Sequence, residues 1–313
     1  MTVKLLLLTT TLVCSSFSSF AETTLTFLDS HRASAQLSRN DDFMQRLSQF
    51  DMEARMKTVD HVIKPEFKRF VRNHTLDWSE QDRAYVNQAY AELKQELDHY
   101  PLDLPHSINM ILSTGAEEGT AAYTRGKAII LQRDKLVLGN ELKRIMAHEI
   151  FHIYTRHNLA KKDELYQSIG FDYVGEIEFP DDLEDRKITN PDAPLNDYAI
   201  LVEYNQQPVW AMPILYSVSE KYDLDKGGEF FNYLLFKFLI VADKEGNWTY
   251  DDDHPLIVDR SELNGFLEQV GYNTNYIIHP EEILADNFAL LILNTQPVNS
   301  PEVIAKMKRI LMN

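Results

Sequence analysis

Cysteine is nearly absent. Cys14 is the single one in 313 residues, and it lies within the first twenty. Disulfide frameworks, thiol nucleophiles and cysteine-ligated zinc are therefore excluded for the rest of the chain. Positive charge is also scarce: 31 Lys and Arg stand against 48 Asp and Glu, a formal charge of −17. A surface of that sign repels nucleic acid and anionic lipid, so neither is expected as a partner. Long hydrophobic runs are missing too. The nearest after the N-terminus, residues 230–242, is interrupted by Asn232 and Lys237 and falls short of the ~18–20 residues a bilayer span needs.

What the sequence does have begins with a leader. One charge at Lys4, a short apolar stretch through Val13 and the ending Ser19-Phe20-Ala21 describe an export signal, residues 1–21, cleaved after Ala21. A lipid anchor on Cys14 would want a small residue before it, and Val13 is there instead. The mature chain is expected to be periplasmic or extracellular, without stable membrane insertion. Its length, about 290 residues, suits one large domain or two intimately packed ones.

The pattern divides at Pro101. Residues 22–100 read as a helical N-terminal region, with helical spacing over 41–57 and 80–99 and a helix start at Ser79. Residues 101–313 read as a mixed α+β catalytic domain. Strands are expected at 107–112 and 121–131, with a loop at 113–120 containing Gly115 and Gly119. A helix follows over 140–157, capped by Asn140, then an acidic, proline-containing loop at 181–194. Paired strands at 198–204 and 209–218 and a hairpin of 230–241 with 248–250 complete the sheet elements. Asp251-Asp252-Asp253 lacks the glycine and distal glutamate of a calcium loop and reads as a solvated turn.

Chemistry concentrates at His148-Glu149-Ile150-Phe151-His152. On a helix, four residues make one turn plus about 40°, so the two imidazoles share a face one turn apart. They can hold one Zn²⁺, while Glu149, about 100° round, stands beside the metal as a base. His157 is wrongly placed for a third ligand, since five residues carry it about 140° round from His152. The better candidate is distant, in the stretch Tyr276 to Ala289. Pro280 suits a first helical turn. Asp286, one turn after Glu282 in an otherwise apolar segment, is unexpected there unless bound or paired. Glu282 as ligand, with Asp286 accepting the outer N–H of a ligand histidine, explains the pair; Glu281 is the weaker ligand candidate.

His-Glu-x-x-His followed on a later helix by Glu-x-x-x-Asp resembles the gluzincin group of zinc metallopeptidases. Residues 280–288 are similar to the glutamate helix of anthrax lethal-factor-like peptidases, and the likeness covers roughly a tenth of the chain. It implies a zincin-like fold, a single catalytic zinc on His148, His152 and Glu282, Glu149 as general base, and Asp286 on His148. It also implies that the strand ahead of the motif helix borders the cleft, with Tyr123, Thr124 and Arg125 towards substrate.

These roles predict an exported endopeptidase in which zinc activates a water, Glu149 takes its proton, and Tyr276 or His279 steadies the oxyanion. The expected partner is a peptide or protein substrate. The alternatives are a zinc amidase or aminopeptidase on cell-wall or small peptides, and an inactive zincin-fold binding protein.

Overall fold

Ser107–Ser113 is the strand on which the site-bearing half is built. Its apolar side chains alternate between two cores. Ile108, Met110 and Leu112 face one, and Ile111 faces the other. A strand apolar on both faces belongs inside a covered sheet. In the computed structural model, which describes residues 22–137, 139–251 and 253–313, it lies between two parallel neighbours, Thr24–Phe27 and Ala128–Gln132. Thr75–Leu76 adds antiparallel to its end, and Tyr123–Arg125 forms the far edge. The expected leader, its cleavage point at Ala21 and Cys14 all lie outside the described residues. No helix among the described residues is long and apolar enough to cross a membrane.

Two expectations about strands change first. Residues 22–100 are not a separate helical region, because Thr24–Phe27 and Thr75–Leu76 are strands of the same sheet. The helix Glu80–Leu97, started by Ser79 and Asp82 in a reciprocal capping box, packs into the core that holds the histidine motif. The predicted strand 121–131 is instead a hairpin. Gly126 takes φ of +61°, where a side chain would be strained, and the chain folds back so that Tyr123–Arg125 runs antiparallel to Ala128–Gln132.

Helices cover both faces of this sheet. Ser30–Leu37 and Lys64–Asn73 close one side through Leu37, Phe67 and Val71. The other side receives the histidine helix, Asn140–His157, and the glutamate helix, Pro280–Ile292. These two pack along each other through Ile150, Phe151, Leu284 and Phe288, with the Phe151 and Phe288 rings 5.4 Å apart. Asn140 is the first residue of its helix, and Gly139 holds the cap position without a side-chain bond. The predicted helix over 41–57 is broken into Asp42–Arg46 and Gln49–Met56, because Ser48 caps the second by binding Asp51 N–H.

A second, antiparallel sheet is built on Tyr198–Tyr204, Gln207–Ser217 and Leu234–Lys244. The first two turn at Asn205 and Gln206, both at positive φ. Asn247–Thr249 completes the expected hairpin with Leu234–Lys244. Main-chain bonds from Ile188 to Leu215 and from Ser217 to Arg186 tie the proline-containing segment to this sheet. Residues 189–192 are thereby led across to the histidine helix. The fold is α+β with two sheets.

Candidate metal centre

The histidine helix presents His148 and His152 as the spacing predicts. Their ring centroids are 4.7 Å apart. Pro280 and the N-cap His279 start the glutamate helix beside them. That helix brings Glu282 Oε2 within 3.1 Å of His148 Nε2 and 3.6 Å of His152 Nε2. The three donors form a group that could hold one metal ion. Glu149 is buried alongside, and its Oε2 has no hydrogen-bond partner; nor has the buried His152 Nε2. Buried polar atoms without partners are rare and call for a ligand or a role. His157, by contrast, is exposed in the last turn of its helix.

The outer nitrogens are both occupied. His148 Nδ1 lies 3.0 Å from Asp286 Oδ1, as expected. His152 Nδ1 lies 2.9 Å from Glu281 Oε1, which the sequence reading did not foresee. Glu281 also accepts from Thr155 Oγ1 at 2.6 Å and from the Tyr166 hydroxyl. One helical step separates Glu281 from Glu282. The first therefore reaches the outer edge of His152 while the second reaches the inner nitrogens.

Loop residues complete the site, and these too were missed. Asn190 Nδ2 donates to Glu282 Oε1 at 2.6 Å. The Asp192 carboxylate joins Glu149 and His152 in a second group of potential donors. Asp192 Oδ1 also accepts from Thr124 N at 2.7 Å and Thr124 Oγ1 at 2.5 Å. The edge strand therefore does not offer Tyr123, Thr124 and Arg125 to a substrate. All three are buried; Tyr123 donates to Glu117 and Arg125 pairs with Asp41 at 2.6 Å. In sequence, Asn190-Pro191-Asp192 carries only a turn signal.

The two candidates for an oxyanion donor part company. His279 caps its own helix, accepting from Glu281 N at 3.1 Å through Nδ1. Its ring lies on the Tyr166 side of the site, centroids 6.1 Å apart. Burial, together with the charge of Lys162, pushes its pKa down to about 4 and keeps it neutral. His279 is thus the N-cap of its own helix, with Nδ1 taken up by the cap bond. Tyr276 stays at the cleft, its ring 6.4 Å from His148. Its backbone N–H donates to Thr274 Oγ1, which donates to Asp286. Although the residue is 40% exposed overall, burial of its phenol and the charges of Glu282, Asp192 and Glu149 hold the hydroxyl protonated.

Five carboxylates thus surround two imidazoles. Among the described residues, only Arg144 forms an ion pair with any of them besides the histidines, 3.6 Å from Asp286. Burial opposes charge on His148, but hydrogen bonds to Asp286 and Glu282 outweigh it and raise its pKa well above the usual value. Burial is likewise outweighed at His152, where the charges of Asp192 and Glu282 lift the pKa to about 9. Burial opposes charge on Glu282 as well, yet the two histidines draw it down to about 2. Burial and the Asp192 charge push Glu149 up to about 8. The pattern is that of a cluster short of positive charge. Two imidazole nitrogens and a carboxylate, next to unpartnered buried atoms, fit a bound divalent cation.

No family model, curated protein or solved structure matches the chain. The reading of the site therefore rests on its geometry.

Proposed function

We propose that this chain is an exported zinc-dependent metallopeptidase with a zincin-like fold. The observation that carries the reading is the convergence of His148 Nε2, His152 Nε2 and Glu282 Oε2 beside the unpartnered Glu149 Oε2. Nitrogen and carboxylate donors in a set of three are what catalytic zinc takes, leaving a position for water or substrate. A zinc ion held there supplies Lewis-acid polarisation of the scissile carbonyl and lowers the pKa of water.

The chain's own residues do the rest. Glu149 Oε2 takes a proton from the attacking water and delivers it to the leaving amine. Asp286 and Glu281, accepting from the outer nitrogens, keep both imidazoles turned with Nε2 inward. The Tyr276 hydroxyl, kept protonated, is the available donor for negative charge developing on the substrate oxygen.

A second reading, a zinc amidase or aminopeptidase acting on small or cell-wall peptides, draws support from the covered edge strand. Thr124 N–H on that strand already donates to Asp192. A peptide adding as an extra strand would need that donor free. Comparing hydrolysis of peptides of increasing length separates the two readings.

Glu149→Gln tests the mechanism common to both. The variant should keep one equivalent of zinc and lose at least about 100-fold in hydrolysis, the scale of a lost general base. Unchanged hydrolysis would sink the proposal.

A further inference from the structure

Residues 189–192 are held from one side by the N-terminal part of the chain and touch the metal-site glutamate on the other. The holding end is a buried charge cluster. Arg55, fully buried on the helix Gln49–Met56, pairs with Asp51 at 2.5 Å and with Glu118 at 2.8 Å. Its guanidinium also donates to Thr189 O at 3.0 Å and lies over the Phe230 ring, 4.2 Å from the centroid. Both oxygens of Asp51 accept from Thr189 N, each at 3.1 Å. Thr189 thus has its N–H and its carbonyl fixed by one ion cluster, and its hydroxyl donates to Arg46 O at 3.0 Å.

The next residue is Asn190. Its amide nitrogen donates to Glu282 Oε1, and its amide oxygen accepts from Asp192 N at 2.9 Å. Glu282 Oε2 is the oxygen turned to the two histidines. The bond to Oε1 fixes the orientation of the carboxylate and leaves Oε2 facing the two histidines. Arg55 makes hydrogen bonds to three separate groups, and a rigid guanidinium fork suits such a junction.

We propose that Asn190 is a positioning residue for the metal-binding glutamate, and that the buried Asp51–Arg55–Glu118 cluster anchors it, making the helix Gln49–Met56 part of the metal site. The inference rests on the metal-centre reading above. It goes beyond that reading in assigning a role to the N-terminal helices and to a loop residue outside the three proposed ligands.

The test measures metal, not only activity. Zinc affinity by competition with a chromophoric chelator, and the visible spectrum of the Co²⁺-substituted protein, are compared for the full mature chain and its variants. Asn190→Ala should bind zinc about 10- to 100-fold more weakly, the usual cost of losing a hydrogen bond behind a ligand, with an altered Co²⁺ spectrum. Asn190→Ser, which keeps a shorter donor, should recover part of the loss. Leu195→Ala, farther along the same loop, should stay within about twofold of wild type. Arg55→Lys should weaken zinc several-fold; if it does not fold, Asp51→Asn makes the same measurement. An Asn190→Ala protein with wild-type affinity and spectrum overturns the positioning role while leaving the metal centre intact. Folded anchor variants with unchanged affinity overturn the anchoring. Wild-type protein that binds no stoichiometric zinc overturns the functional reading and this inference together.

Discussion

The two flanks of the metal centre use one device in different surroundings. On each, a carboxylate from the glutamate helix accepts the outer N–H of a histidine, at 3.0 Å for His148 and 2.9 Å for His152. On the His148 flank the acid is Asp286, its side chain 21% exposed and within reach of the solvent-facing Arg144. On the His152 flank the acid is Glu281, buried, with Thr155 and Tyr166 as further donors. Water can replace part of what Asp286 does and nothing of what Glu281 does. The buried flank should therefore set the rigidity of the site, and the open flank should be the adjustable one, beside Tyr276 and the entrance.

The comparison breaks most directly at Glu281. Glu281→Gln leaves buried donors facing an amide, and loss of a buried, multiply bonded charge costs on the order of 3 kcal/mol. Zinc affinity should fall by up to about 100-fold. The effect has a pH signature in the metal-free chain. Burial opposes charge on both partners; at Glu281 the hydrogen bond to His152 and its charge outweigh it and lower the pKa, while at His152 the charges of Asp192 and Glu282, with the Glu281 hydrogen bond adding to them, raise the pKa to about 9. The histidine part of that stabilisation is complete below its ordinary value of 6.5 and lost as pH rises through about 9. The glutamate part is complete above its ordinary value of 4.5 and lost as pH falls towards its lowered pKa. The gap between thermal melts of the two metal-free proteins should be widest near pH 5–6 and narrow as pH rises through about 9 without closing, because Thr155 and Tyr166 still donate to Glu281; a gap that does not narrow with rising pH rejects the ionic account. Asp286→Asn, on the open flank, should cost about 1 kcal/mol or less and about tenfold in zinc affinity. Equal costs for the two variants would abolish the distinction between flanks.

The histidine pair was legible in sequence because a helix period alone places it. Glu282 and Asp286 were legible as anomalies, two acids one turn apart in an apolar helix. Glu281 was read only as a weaker ligand candidate. Its service to His152 follows from the crossing of two helices and leaves no mark in spacing. Asn190 and Asp192 were passed over for the same reason, since their roles exist only where residues 189–192 cross to the histidine helix. The hairpin at Gly126 and the covered edge at Thr124 show the limit of reading strands by composition. The eleven residues 121–131, apolar at both ends but with Arg125, Gly126 and Lys127 between, fit one strand or two, and a single glycine at positive φ decides between them. Much of the α+β alternation, by contrast, was visible in the pattern of apolar residues, because the inner strands of the first sheet are buried on both faces, between two cores.

The smallest effect should come from Arg144, and it sharpens the comparison from the outside. Its guanidinium is 46% exposed, bonded to Glu141 on its own helix and 3.6 Å from Asp286. A pair that exposed is worth no more than a few tenths of a kcal/mol. Asp286 is already drawn towards His148 and Thr274, whose hydroxyl is 2.5 Å away, so removing the guanidinium frees little. Arg144→Ala should change zinc affinity less than about threefold, and the change should shrink further in high salt, where surface charges are screened. A tenfold loss that persists in high salt would mean that the open flank is held as firmly as the buried one. Asp286 would then depend on Arg144 as Glu281 depends on Tyr166, and burial would no longer explain which flank can give.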